Sequence, residues 1–124
     1  MPSSPVSRSS DYSVHGVDAT DIEWRVALAL EKLHVPYIFQ YELGGGRTLR
    51  GGIVLDFLAL TDPLSTPIDV RGEYWHGAKQ KIDDDLGLAL LNSRGNFAEP
   101  VILYGGELQS IEQAYSTVKR ALRL

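Results

Sequence analysis

A single carboxylate in the most apolar stretch of the chain constrains the fold more than any other feature. The stretch is GGIVLDFLAL, residues 51–60, and Asp56 is its one charged residue. Its branched and aromatic residues predict a strand that is buried on both faces. An unpaired carboxylate is costly to bury. Asp56 must therefore be protonated, paired with a cation or bound to a metal ion.

Periodicity and turn residues on either side of Asp56 predict the rest of the fold. Thr20 with Glu23 three residues later has the pattern of a capping box, so a helix begins there, and Pro36 marks its end. The further predicted elements are strands at 37–43, 51–60, 68–72 and 100–105, turns at 44–48 and 61–67, and helices at 79–93 and 108–124. Because short connections join the first three strands, we expect them to form an antiparallel meander.

The order of these elements, α-β-β-β-α-β-α, predicts the fold class. A chain of 124 residues with this order is expected to be one α/β (α+β) domain, without repeats or a second domain. Residues 1–18 are polar, rich in Pro and Ser, and aperiodic, so we expect a flexible N-terminal tail. The folded domain is then expected to span residues 19–124.

Composition excludes several classes of protein. The chain has no cysteine, which rules out disulfides and thiolate zinc sites. Its formal net charge of −4 argues against a protein that coats nucleic acid non-specifically, but does not exclude a nuclease, whose carboxylates bind metal. No apolar run approaches the roughly 20 residues that a membrane span needs. The N-terminus lacks the apolar core of a secretory signal, so we expect a cytoplasmic protein.

Charged residues on the strand after Asp56 have the spacing of a metal site. Asp69 and Arg71 are two residues apart, so both side chains point to one face of that strand. If Asp56 shares this face, two carboxylates and a cation converge, which suits a divalent ion that activates water against a phosphodiester. Glu73 continues the alternation and is another candidate ligand, or a substitute for Asp69.

The element order and these residues resemble the PD-(D/E)XK (restriction-endonuclease-like) nuclease superfamily. Asp56, the following loop and the run Asp69-Val70-Arg71 match its acidic motif, with Arg71 at the position of the usual lysine. The segment RGEYWH, residues 71–76, resembles a motif of the very-short-patch repair endonucleases and of related small phage and bacterial proteins. The resemblance covers residues 20–123 and implies a single restriction-endonuclease-like domain, with a mixed central sheet flanked by helices.

The resemblance implies a role for each matched residue. Asp56 and Asp69 are expected to bind Mg²⁺ or Mn²⁺. The other implied site residues are Arg71, Glu73, His76, Glu23 on the first helix, and Gln40, which matches a polar residue of the first strand. Because arginine is permanently charged, Arg71 can clamp a phosphate but cannot shuttle a proton. The very-short-patch enzymes carry a histidine where His76 falls, so the resemblance makes His76 the candidate acid or base.

Each of these residues also has a structural alternative. Asp56 could pair with Arg71 in a salt bridge, and Glu23 is explained by its capping box alone. Glu73 could be a solvated turn residue, and His76 could cap the helix that follows it. Four basic residues flank the predicted site and are candidate phosphate contacts, with scattered surface charge as the alternative: Arg47, Arg50, Lys79 and Lys81.

The sequence supports two functions of different classes. The first is a Mg²⁺-dependent DNA endonuclease that cuts duplex or branched DNA, as a nickase or a homodimer, because so small a monomer covers little DNA. The second is a catalytically inactive nuclease-fold protein that binds nucleic acid or forms part of a phage or repair assembly. Arg71 and the acidic composition are the reasons to keep this second function. With either function, we expect the protein in the cytoplasm of a bacterial or phage-infected cell.

Overall fold

The computed structural model describes residues 9–43, 53–72 and 96–124. In chain order the elements are β1 (Ser9–Val14), β2 (Val17–Ala19), α1 (Asp21–Lys32), β3 (Tyr37–Leu43), β4 (Ile53–Ala59), β5 (Thr66–Arg71), β6 (Val101–Tyr104), a 3₁₀ turn (Gly105–Glu107) and α2 (Ile111–Ala121). The predicted helix at 79–93 and the predicted turn at 44–48 lie outside the described residues. The other predicted helices and strands are confirmed, with ends that shift by up to three residues. Within the described ranges, no helix has the length and apolar character needed to cross a membrane.

The described chain is a mixed α+β fold built on one four-stranded sheet. Its strand order is β3-β4-β5-β6. β3, β4 and β5 pair antiparallel, which confirms the predicted meander, whereas β6 pairs parallel to β5 and makes the sheet mixed. Because β5 and β6 run in the same direction, their last residues, Arg71 and Tyr104, lie side by side at one edge of the sheet.

A hairpin occupies residues 9–19, much of the segment expected to be a flexible tail. Its two strands are joined by His15 and Gly16, whose φ values of 50° and 81° fit the left-handed two-residue turns that suit the twist of a hairpin. Val14 is only 3% exposed, and the ring of Tyr12 packs on Trp24 of α1 with 5.4 Å between centroids. These two contacts dock the hairpin, although the polar residues around them predict no strand.

Alternate residues of the sheet and one face of each helix form a single core. Phe57 of β4 is fully buried, and its ring lies 5.0 Å from that of Phe39 and 5.6 Å from that of Tyr37. Other fully buried core residues, from α1, β5 and α2, are Val26, Leu30, Ile68, Ala114 and Val118. Since neighbouring residues of a strand point to opposite sides, the burial of Phe57 in this core turns the adjacent Asp56 away from it.

Both described helices end in a Schellman motif that contains an ordinary residue where glycine is common. After α1, the N–H groups of His34 and Val35 donate to the carbonyls of Glu31 and Leu30, at 3.1 and 2.9 Å. The same pair of hydrogen bonds closes α2 around Arg123. His34 and Arg123 both have φ of 59°, a left-handed conformation that costs an L-residue roughly 1–2 kcal/mol.

Candidate active site

The candidate site begins where the pairing between β4 and β5 stops. The ladder between these strands contains three residue pairs and ends at Phe57 and Ile68. Beyond this pair, the backbone N–H of Val70 donates to Oδ2 of Asp56 at 2.6 Å. The Asp56 carboxyl group therefore accepts a hydrogen bond from the backbone of β5. This hydrogen bond holds the carboxyl group between the two strands and beside Asp69.

Asp69 and Arg71 lie on one face of β5, as their spacing predicts. Nη2 of Arg71 donates to Oδ2 of Asp69 at 2.5 Å in an ion pair. The Asp69 residue is only 5% exposed, whereas the Arg71 side chain is 41% exposed. Within the described ranges, Nε of Arg71 is buried without a hydrogen-bond partner. Arg71 thus neutralises a buried acid with one nitrogen and keeps donor capacity for another anion.

Asp56 is protonated at neutral pH in this arrangement. Burial raises its pKa from 3.8 to about 9, helped by a hydrogen bond with the Asp69 carboxyl group and by the negative charges of Asp69 and Glu23, while the Val70 N–H acts in the opposite direction. The two carboxyl groups therefore hold a proton between them. The sequence requires Asp56 to be protonated, paired with a cation or bound to a metal ion. In the protein without a bound metal ion, Asp56 is protonated.

Glu23 caps the start of α1 and acts electrostatically on Asp56. It forms the predicted capping box, since its Oε1 accepts the Thr20 N–H at 2.8 Å and its own N–H donates to Thr20 Oγ1 at 3.2 Å. The residue is 4% exposed, and its charge contributes to the raised pKa of Asp56. The Glu23 carboxylate, held at the first turn of α1 by its capping hydrogen bond, is therefore close enough to Asp56 for its charge to act on it.

The carboxyl oxygens of Asp56 and Asp69 fit a Mg²⁺ or Mn²⁺ ion that takes only two protein ligands. They do not fit a metal site in which the protein supplies every ligand. Within the described ranges, no group of three or more His, Cys, Asp or Glu side chains is arranged to hold a metal ion. Mg²⁺ commonly takes one or two carboxylates and completes its shell with water and substrate phosphate oxygens. The Oδ2 atoms of Asp56 and Asp69 each accept one hydrogen bond, and a carboxylate has further lone pairs. Once the shared proton is lost, these two acids can serve as the ligands.

A close contact between two glycines fixes the end of β5 next to β6. A Cβ atom on Gly105 would lie 2.8 Å from the carbonyl oxygen of Gly72. This distance is too short for any side chain, so Gly105 is required where the chain leaves β6. The contact anchors the backbone directly after Arg71.

Of the remaining predicted site residues, the structure describes only Gln40. Glu73, His76, Arg47, Arg50, Lys79 and Lys81 all lie outside the described residues. Gln40 lies opposite Asp56, because the β3 and β4 register pairs the residues on both sides of it, and it has a left-handed φ of 59°. Sequence reasoning missed the Val70 amide, since a backbone donor leaves no signal in a pattern of side chains.

Comparisons with family models, curated proteins and solved structures return no match to this chain.

Proposed function

We propose that the protein is a Mg²⁺- or Mn²⁺-dependent endonuclease that hydrolyses phosphodiester bonds in duplex or branched DNA. The observation that carries this proposal is the meeting of Asp56 and Asp69 from two diverging strands, with a proton between them and Arg71 on one of them. Burying a pair of acids lowers the stability of the fold. Such pairs are typical of functional sites, where negative charge is needed for binding or catalysis. Binding a divalent cation next to a phosphate is such a task.

In this mechanism each residue of the site has a separate part. Asp56 and Asp69 would hold the cation, which would supply Lewis-acid stabilisation of the charge that develops on the phosphoryl group. The Arg71 side chain is 41% exposed and its guanidinium has further N–H donors, so it can hold a phosphate oxygen while Nη2 stays on Asp69. Arg71 does not take the proton of the attacking water, because its guanidinium stays charged. His76 remains the candidate for that proton transfer.

Several coarser features support a restriction-endonuclease-like domain. The mixed four-stranded sheet, with an antiparallel meander followed by a parallel strand, agrees with the expected element order. Glu23 supplies an acid from the first helix close to the pair. We further propose that DNA is the partner, that the protein acts as a nickase or a homodimer, and that it works in the cytoplasm of a bacterial or phage-infected cell.

One observation favours a second candidate, a catalytically inactive member that binds nucleic acid or joins a phage or repair assembly. Asp69 is already neutralised by Arg71 at 2.5 Å, and Asp56 is neutralised by its proton. Asp56, Asp69 and Arg71 are therefore balanced in charge without a metal ion. A protein of this second kind needs only the fold and surface that these contacts stabilise.

Cleavage of DNA separates the two candidates. Supercoiled, nicked, branched and mismatched DNA are incubated with the protein and Mg²⁺, Mn²⁺ or chelator. We expect metal-dependent cutting by the wild type, loss of cutting in Asp56→Ala and Asp69→Asn, and unchanged cutting in Glu99→Gln, whose side chain is exposed and has no part in the candidate site. Absence of cutting by the wild type, or cutting that survives in Asp56→Ala, contradicts the nuclease. DNA binding without cutting supports the second candidate.

A further inference from the structure

A groove next to the end of α1 brings together two of the three histidines of the chain. It has a volume of about 490 Å³ and lies between the hairpin turn and the start of β3. Its lining residues are His15, Glu31, His34, Val35, Pro36 and Tyr37. None of them takes part in the acid site around Asp56.

Both histidines lie on backbone that L-residues rarely adopt. His15 has φ of 50° in the hairpin turn, and His34 has φ of 59° directly after α1. Glycine adopts these conformations without strain, and it is common at both kinds of position. The turns therefore do not need imidazole rings. Strain of this kind is typical of positions where the side chain has a use of its own.

The groove contains a stack of two rings whose outer member is exposed. The ring of His15 lies parallel to that of Tyr37, with 4.7 Å between centroids and 11° between planes. Two contacts hold Tyr37 in place. Its ring makes an edge contact with Phe57, and its hydroxyl donates to Oε2 of Glu31 at 2.5 Å. His15 is exposed, so a further planar ring can continue the stack.

We propose that this groove binds a nucleobase of an unpaired nucleotide, which rests on the proposed function because it presumes a nucleic-acid substrate. The base stacks on His15, as bases of single strands do on aromatic side chains. Glu31 repels a phosphate but accepts hydrogen bonds from the amino groups of adenine, cytosine and guanine. Thymine has no amino group and offers Glu31 only its N3–H, and its single ring covers less of His15 than a purine does, so we expect the groove to favour adenine over thymine. His34 faces the same space and offers a second polar group to the base edge.

A metal ion is a weaker occupant of the same groove. Although His15, His34 and Glu31 are ligand types, they are not among any set arranged to hold a metal within the described chain. One oxygen of Glu31 is also held by the Tyr37 hydroxyl. The parallel rings, by contrast, need no rearrangement to accept a planar ligand.

Binding is measured by NMR titration of the full chain with single-stranded tetradeoxyadenylate, tetrathymidylate and uncharged adenosine, all in chelator. We expect the ring resonances of Tyr37, His15 and His34 to shift, and the adenylate to bind at least threefold more tightly than the thymidylate. The same four adenylates within the stem of a blunt-ended DNA hairpin are expected to bind at least fivefold more weakly, because their base faces are covered.

Variants separate this role from a structural one. His15→Gly and His34→Gly remove one ring each and relieve a left-handed backbone, so the unfolding temperature rises while adenylate affinity falls at least fivefold. The matched control is Arg123→Gly, which relieves the same conformation at the end of α2 and lies outside this groove. Its unfolding temperature also rises. Its affinity for adenosine is expected to be unchanged. Adenosine is the probe for this variant because it is uncharged, whereas loss of the Arg123 charge would by itself weaken binding of the charged adenylate.

Two results overturn the inference. One is the absence of ring shifts with adenosine and adenylate, and the other is equal affinity in the wild type and in both histidine variants. Either result leaves the nuclease standing if the wild type cuts DNA. Conversely, ring shifts in a protein that cuts no DNA remove the nuclease and leave the base-binding groove in place.

Discussion

Replacing Asp56 by asparagine is expected to stabilise the metal-free protein at neutral and alkaline pH. The asparagine amide mimics the protonated acid, because its oxygen can accept the Val70 N–H and its NH₂ group can donate to Asp69. It also cannot ionise. The variant therefore keeps the hydrogen bonds of the wild type and has no buried carboxyl group that must hold a proton as the pH rises.

The pKa of Asp56 fixes the size and sign of the effect. Its folded pKa is raised, so the stability that its proton confers is complete below pH 3.8 and is lost as the pH rises towards 9. One pKa unit corresponds to about 1.4 kcal/mol, which sets an upper limit of about 4 kcal/mol at pH 7. Because the Asp56 side chain is not fully buried and solvent screens its charge, we expect a gain of about 1–3 kcal/mol for Asp56→Asn at that pH.

The assay is urea unfolding in chelator at several pH values between 4 and 9.5. The free energy of unfolding of Asp56→Asn and of the wild type should coincide near pH 4 and diverge as the pH rises. Glu99→Gln, which neutralises an exposed acid, should follow the wild type throughout. Parallel curves, or an Asp56→Asn variant that is less stable at pH 8, would show that Asp56 is ionised in the folded protein and refute the shared proton.

Two further substitutions test the contacts around the site, both by urea unfolding near pH 7. Arg71→Ala leaves the buried Asp69 without its cation and should lower the free energy of unfolding by about 1–2 kcal/mol, whereas an unchanged value would show that the ion pair is immaterial. Gly105→Ala forces a Cβ to 2.8 Å from the Gly72 oxygen and should cost about 1–3 kcal/mol. Gly106→Ala is its control, since nothing lies within 4 Å of the added atom, and equal losses in both variants would contradict the close contact.

Much of the fold could be predicted because its signals are local. The Thr20 and Glu23 spacing predicts a capping box, and both reciprocal hydrogen bonds are present. The alternation in β3 and β5 predicts strands at the observed places. The hairpin was missed because its signal is weak, since a His-Gly turn is an uncommon choice and few of the residues around it are apolar.

The candidate site could be predicted only in part, for a physical reason. The two-residue spacing of Asp69 and Arg71 predicts that they share a face, and their ion pair confirms this. The position of Asp56 depends instead on where β4 and β5 separate and on a backbone N–H of Val70. Backbone donors are the same in every residue but proline, so a sequence pattern cannot reveal which of them is left for a side chain.

Binding of Mn²⁺, followed by electron paramagnetic resonance, tests the central claim most directly. We expect the wild type to bind Mn²⁺ at one site per chain without DNA, and we expect this binding to be lost in Asp56→Asn and Asp69→Asn but kept in Glu99→Gln. Unfolding curves of the same samples show that the variants are folded. A wild type that binds no Mn²⁺, or an Asp56→Asn variant that binds it equally well, would contradict a metal site at these two carboxylates.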